Sequence, residues 1–593
     1  MSISATVHRF IYIGLIAITS SVVDATPLFY RGDMDDRITK AENGAIINGD
    51  YLKALASGPY GEVNVIRVTD RITTVTGYAN ANFTFIETDN GLIAVDAGSN
   101  IGQARGALAM LREITDKPLI ALIYTHHHYT GGAGEYRRLY PEMDVYGHPD
   151  VDSHLQTTAG VLGPKQARNV GRILGLYLPH TGPDGVVATP EVQFDDPALN
   201  VNRHVQVSHP VEDGETVWID GLEAIFYHAV GDTRDSLIVH FPSLDLVIHN
   251  TGLLPTLAPL STLRGEYYRD PSDLIVSIDK LRQLRARYMI PSHGFPTMSA
   301  EEGYEAATAH RDAYSFIYYQ SIRAINRGLS PDEMARTVRL PPHLAQHPLL
   351  QPTYVDNEYN VRAQYRGLVG WFDGDGASLH PPENGQIGQV LIEGFGGVAN
   401  VLDRIRKAQT EHDYNLAATL ATYILGVEPD HAGARQLKAD ALRAMAQATP
   451  SMQTRNYMLT QALHLEGKID WAKPPSAALF RANTVDTILD TPPGTYLELL
   501  QVRIDPVKSA DLDTGVAVEF TDLGRVWTLY VRRGVVEVVE TREPLVKNIL
   551  SLPRPVWAQV ASGDSSVAAV LDSGAASYTG DRAAIEAVFA VFD

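Results

Sequence analysis

Tyr124-Thr125-His126-His127-His128-Tyr129-Thr130-Gly131-Gly132 follows the apolar run Leu119 to Tyr124, and the two together decide how the first half of the chain folds. The run reads as a buried strand, and the glycine pair as the turn into a helix starting near Glu135. Such a junction is where an α/β protein places its chemistry. His126 and His128 stand two apart, so on an extended segment both imidazoles face one way and can share a metal ion about 2.0–2.1 Å from each nitrogen. By itself the tripeptide reads equally well as a polar loop or a chance metal binder.

The surrounding segments decide between these readings. Asn82 to Glu87 and Gly91 to Gly98 alternate like strands about a turn at Asp89-Asn90. Further on come Gly231-Asp232-Thr233-Arg234-Asp235-Ser236 leading into an apolar run that ends at Pro242, then Leu246-Val247-Ile248-His249-Asn250, and Met289-Ile290-Pro291-Ser292-His293-Gly294. In order and spacing these segments resemble the metallo-β-lactamase superfamily. The resemblance implies an α/β fold, two sheets sandwiched between helices, with Asp96 bracing the histidine loop and His293 as the last ligand.

Thr262-Leu263-Arg264-Gly265 with Arg269-Asp270, and later Arg311-Asp312-Ala313-Tyr314, Asn360 to Tyr365 and Gly370-Trp371-Phe372-Asp373-Gly374, are similar to the alkylsulfatase branch of that superfamily. That branch implies a homodimer and cleavage of an alkyl sulfate ester by metal-activated water. The superfamily loop is His-x-His-x-Asp-His, whereas here Thr130 and Gly131 stand at the Asp-His pair, or two residues are deleted before the glycines. The glutamates that the branch carries near Gly231 to Ser236 and at the place of His249 are absent. The resemblance therefore leaves His126, His128, His249 and His293 as metal ligands, enough for about one zinc per chain. Asp232, also a plausible ligand, and Arg264 are the candidate catalytic residues, Arg264 as a clamp on the sulfate. The expectation is that His126, His128 and at least one of His249 and His293 converge within about 5 Å. Two alternatives stay open: hydrolysis of another ester or a lactone, and a silent member that binds an amphiphile.

Composition agrees with several domains: 593 residues are 45% hydrophobic and contain no cysteine, so His and carboxylate are the available metal ligands. Seventy acidic against 49 basic side chains give a net charge of −21, which argues against a nucleic-acid partner. Residues 1–25 read as an export signal, with His8-Arg9 before the apolar stretch from Phe10 to Val23, implying a secreted or periplasmic protein without an integral membrane segment after cleavage. The resemblance to the alkylsulfatase branch implies a hydrolase domain over 26–300, a helical dimerisation domain over 301–472 and a small α+β, sterol-carrier-like domain over 473–593. In the helical part Leu402, Ile405, Ala408, Ala417, Leu420, Tyr423 and Ile424 recur at helical spacing, as in stacked hairpins. Lys165, Arg168 and Arg172 lie on a predicted helix that resembles the roof of the branch's active site. Gly494 to Leu499 is predicted as a strand. The aromatic-rich stretch from about 303 to 382, with Tyr314, Ile317, Tyr319, Tyr354, Tyr359 and Trp371, is expected to form the dimer interface.

Overall fold

The structure is a computed structural model that describes residues 31–592 apart from 33, 156–160, 188–191, 193, 195, 472–483 and 490. The export signal and the boundary near residue 472 lie outside the described residues. Among the described residues no helix is long and apolar enough to cross a membrane.

Two sheets face each other in the first half. One has seven strands in the order Asn64–Thr69, Ile72–Thr76, Phe83–Glu87, Leu92–Val95, Leu119–Ile123, Asp144–Gly147 and His209–Pro210. The other has five, Thr216–Ile219, Leu222–Ala229, Ser236–Phe241, Leu246–His249 and Tyr288–Pro291, antiparallel except for the last pair. Leu119–Ile123 is apolar throughout because both its faces are covered. Ala121 and Ile123 enter the layer between the sheets with Phe226, Val239 and Ile248. Leu122 and Tyr124 meet the helices Ile101–Arg112 and Ala133–Leu139 on the outer side. The second sheet is covered by Pro271–Leu284 and Ala300–Ile325, whose Leu274, Ile278, Tyr314 and Ile317 form the fourth layer.

Tyr314 and Ile317 thus belong to the sandwich core and correct the expectation that they face a partner subunit; helical spacing alone does not distinguish the two fates. Tyr354 lines the site cavity, and Tyr359 accepts from Thr454 Oγ1 at 3.2 Å. Tyr319 and Trp371 are exposed, Trp371 at 70%.

Helices Asn384–Gly394, Val398–Thr410, Tyr414–Val427 and Ala432–Ala448 stack as hairpins around Ile405, Ala408, Ala417, Ala421, Ile424 and Ala439, the alanines permitting close approach. Met452–Leu465 then turns back onto the sandwich. Arg455 Nη2 donates to Gly185 O at 2.9 Å and Asn456 Nδ2 to Ile173 O at 3.0 Å, and Met452 reaches the site cavity. A last five-stranded sheet, ordered Val535–Val539, Arg525–Arg532, Asp513–Phe520, Asn548–Leu552 and Ser577–Thr579, packs its Phe520 and Trp527 against Trp557 of the helix Arg554–Ser562. The segment predicted as a strand at Gly494 is instead the helix Thr495–Glu498 followed by a 3₁₀ turn, Leu499–Val502. Gly494 sits on the Trp527 indole, where a Cβ would lie 2.7 Å from Nε1, and a helical turn lets both Leu497 and Leu500 reach that core.

Gly231 begins the loop carrying Asp232, and a Cβ there would lie 1.8 Å from the carbonyl oxygen of Asn250. Gly231→Ala must push the two segments apart, at a cost of about 1–3 kcal/mol. Equilibrium denaturation should show the loss, together with weaker metal retention; an unchanged midpoint would disprove the close approach.

Candidate metal centre

The loop begins where Leu119–Ile123 ends, and a buried carboxylate holds it there. Asp96, itself at φ +60°, accepts from Thr125 N at 2.8 Å and from Thr125 Oγ1 at 2.7 Å. Burial raises this carboxyl to about 7, although both Thr125 hydrogen bonds pull the other way. Thr125 Oγ1, having given its proton to Asp96, accepts from His126 Nδ1 at 2.9 Å. That bond fixes the tautomer: Nε2 of His126 carries a bare lone pair, is buried and has no hydrogen-bond partner. Burial lowers this imidazole to about 3, so it stays neutral. On the far side of the loop Gly132 lies so close to the first sheet that a Cβ would meet Ala97 O at 2.0 Å.

His126, His128 and Asp232 converge, each offering one ligand atom within 4.8 Å of the others. Asp232 Oδ1 lies 3.5 Å from His126 Nε2, and Oδ2 lies 3.1 Å from His128 Nδ1. Glu266 Oε1 accepts from His128 Nε2 at 2.9 Å, which leaves Nδ1 facing Asp232. Burial penalises the charged form of Asp232, but the neighbouring imidazoles of His126 and His128 hold it well below the usual carboxylate range. For His128 burial works against the proton, yet Glu266 and Asp232 outweigh it and raise the ring above its ordinary value. Two imidazole nitrogens and one carboxylate oxygen, with a buried unpartnered lone pair among them, fit one divalent ion with room for a further ligand.

Of the donors expected to join His126 and His128, Asp232 is the one that groups with both among the described residues. His293 borders the cluster, its ring centroid 6.4 Å from that of His126 and its Nδ1 donating to Asn80 O at 2.7 Å. His249 lines a second cavity together with His293 and His310; its Nδ1 is 3.1 Å from Thr251 Oγ1, its Nε2 is buried without a hydrogen-bond partner, and burial lowers it to about 3. Arg264 reaches the cluster, with Nη2 at 3.3 Å from His128 Nε2 and in an ion pair with Glu266. Glu266 also binds Arg269 Nη2 at 2.7 Å. The sequence reading missed Glu266, although an acid two residues after Arg264 and three before Arg269 is the signal that could have found it. The predicted roof helix is Gly163–Ile173, and it supports the arginine segment: Asn169 Nδ2 donates to Arg264 O at 3.1 Å, and Gln166 Nε2 bonds Gly265 O.

Of these groups Asp232, Arg264, Arg269 and His293 line one cavity. Tyr51, Leu55, Tyr60, Leu254 and Met452 line the remainder.

Comparison with known proteins gives consistent matches. Residues 76–293 match the model of the metallo-beta-lactamase superfamily, 330–468 that of alkyl sulfatase dimerisation and 481–593 that of the alkyl sulfatase C-terminal domain. A linear primary-alkylsulfatase from a Pseudomonas species is 32% identical over 493 residues, 81% of this chain and 93% of that protein. An (R)-specific secondary-alkylsulfatase, also from Pseudomonas, is 26% identical, covering 89% of this chain and 80% of its own. The solved structure of a stereoselective inverting sec-alkylsulfatase from Pseudomonas shares the fold at a TM-score of 0.84 and 23% identity, over 95% of this chain and 89% of that one.

Asp96→Ala leaves Thr125 N–H and its hydroxyl without their buried acceptor, and denaturation should show a loss of about 2–3 kcal/mol. Asp96→Asn keeps one acceptor and should be milder. In metal-free protein the raised Asp96 makes its own pH signature. The folded chain holds this proton up to about 7, whereas an exposed carboxylate releases it near 4. Its contribution to stability is thus complete at low pH and is lost as pH rises across that window. Asp96→Asn should flatten this component of the slope; an identical pH profile would disprove the assignment.

Proposed function

Because the chain belongs to the alkylsulfatase family of the metallo-β-lactamase superfamily, we propose that it hydrolyses an alkyl sulfate ester, R–O–SO₃⁻ and water giving R–OH and hydrogen sulfate. The observation that carries this reading is the juxtaposition of the His126, His128 and Asp232 donor set with a cavity that Asp232, Arg264 and Arg269 line together with apolar and aromatic side chains. Zinc suits the two nitrogens and one oxygen, and when bound it supplies Lewis-acid polarisation and water activation. The protein's own residues do the rest. Two guanidiniums share the single carboxylate of Glu266 and so leave one positive charge facing the cavity, where the sulfate would sit. The apolar walls take the alkyl chain and exclude water from its length. His293, fixed through Nδ1 by Asn80, presents Nε2 as a proton acceptor or further ligand.

We extend the proposal to a homodimer assembled through the region matched by the dimerisation model, where Trp371 and Val390 are 70% and 71% exposed. Export to the periplasm or beyond is proposed on the N-terminal sequence pattern.

Purified zinc-loaded protein should release inorganic sulfate from dodecyl sulfate. Asp232→Ala should lose one zinc equivalent together with that activity. Arg264→Ala should lower kcat/KM by roughly 10²-fold, with Lys rescuing only in part because it lacks the planar fork. Loss of thermal stability equal to the loss of activity would make Arg264 a fold residue, and zinc-loaded protein without sulfate release would favour binding of an amphiphile alone. Light scattering should give a dimer mass at micromolar concentration, and mass spectrometry of exported protein should find Thr26 as the first residue; a monomer, or an intact leader, would refute the respective claim.

A further inference from the structure

A second group of metal-ligand side chains lies beside the first and takes no part in it. His127, His154 and Asp235 each offer one ligand atom within 4.8 Å of the others. Both imidazoles aim at the same carboxylate oxygen: His127 Nδ1 is 2.9 Å and His154 Nδ1 3.0 Å from Asp235 Oδ1. The second oxygen accepts from the His127 backbone N–H at 2.8 Å, which sets the plane of the carboxylate. Asp235 is fully buried, the His127 side chain is 4% exposed and that of His154 is 28% exposed, so the group opens to solvent on one side only.

Three chain segments meet at this point. His127 comes from the metal loop, His154 from the short helix Val151–Leu155, and Asp235 from the loop that also carries Asp232. A buried carboxylate needs a compensating charge, and an ion held with the two imidazoles supplies it. Ligand atoms of a tetrahedral zinc site stand roughly 3.3–3.4 Å apart when each bond is about 2.0–2.1 Å, so the two N···O distances to Asp235 Oδ1 need only a few tenths of an ångström of expansion. Each ring would then keep its proton on Nε2 and turn the Nδ1 lone pair to the ion.

We infer that His127, His154 and Asp235 form a second transition-metal site of the two-nitrogen, one-oxygen type, distinct from the His126, His128 and Asp232 centre. An ion there cross-links the loop bearing His126 and His128 to the loop bearing Asp232, and so holds the three ligands of the first centre in register. It is a structural clamp one residue along the chain from the reactive ion. The inference rests on the coordination geometry and is independent of whether the protein cleaves sulfate esters. The competing compensation is a proton on His154, which would make the trio a hydrogen-bonded tether.

The test uses the full-length protein, stripped with chelator and titrated with Zn²⁺ alone at neutral pH, with bound metal counted by elemental analysis after dialysis. Wild type should retain two equivalents. His154→Ala should retain one, and His154→Gln, which keeps a hydrogen-bond donor toward Asp235 on a partly exposed helix, should also lose one equivalent or raise its Kd by more than about 10-fold. Asp232→Ala should lose the other equivalent, and the double variant both. One equivalent in wild type that disappears in Asp232→Ala but survives in folded His154→Ala and His154→Gln overturns the inference, as does a wild type that binds none. One equivalent that disappears with His154 but survives in Asp232→Ala upholds it and removes the first centre instead.

Discussion

The grip of Asp96 on Thr125 is the constraint on which the rest of the site depends. A strand that ends in three consecutive histidines has several ways to continue, and two hydrogen bonds from one residue to one buried carboxylate remove most of them. They hold the Thr125 hydroxyl as an acceptor for His126 Nδ1, and Ser292 Oγ at 3.0 Å ties the same hydroxyl to the end of the Tyr288–Pro291 strand. The two sheets are thereby joined at their chemically active edge through one oxygen atom. The direction of the His126 lone pair follows from that junction.

Around this junction the site balances its charges in alternation. Asp232 sits between His126 and His128, Glu266 between His128 and the two arginines, and Asp235 between His127 and His154. No carboxylate of the set is left without a cationic or metal-ligating neighbour, as burial demands. The carboxylate of Asp232 enters from the loop of the opposite sheet and meets the two histidines of the first.

The helical region and the sandwich are coupled through this cavity as well. Met452–Leu465 leaves the stack of hairpins and buries Arg455 and Asn456 against the end of the roof helix and the segment that follows it, and Met452 becomes part of the cavity wall. Two carbonyls, Gly185 O and Ile173 O, are thus satisfied by side chains 270 and 283 residues distant. The shape of the pocket is consequently a joint product of both regions, which is a means by which variation in the helices can tune the alkyl group accepted.

Much of this was legible in the order of residues. Apolar runs such as Leu119 to Tyr124 announce strands covered on both faces, and the brace at Asp96 and the pair His126 and His128 follow from local spacing and family resemblance. The helix periodicity of Ile405, Ala408, Ala417, Leu420 and Ile424 likewise marks faces that pack in the hairpin stack. Local patterns could not reveal whether Tyr314 and Ile317 face a partner or the sandwich, because burial by another helix and burial by another subunit select the same side chains. Nor could they show that Gly494 to Leu499 is helical, since the Trp527 surface that sets its path lies some 30 residues further on. The ligand set is the sharpest case. His126 and His128 are neighbours in sequence, but their meeting with Asp232, and that of His127 with His154 and Asp235, depend on how two sheets pack face to face. Sequence determines which donors are available; only the tertiary structure decides which of them reach the same point, because convergence is a property of distances that no spacing along the chain encodes.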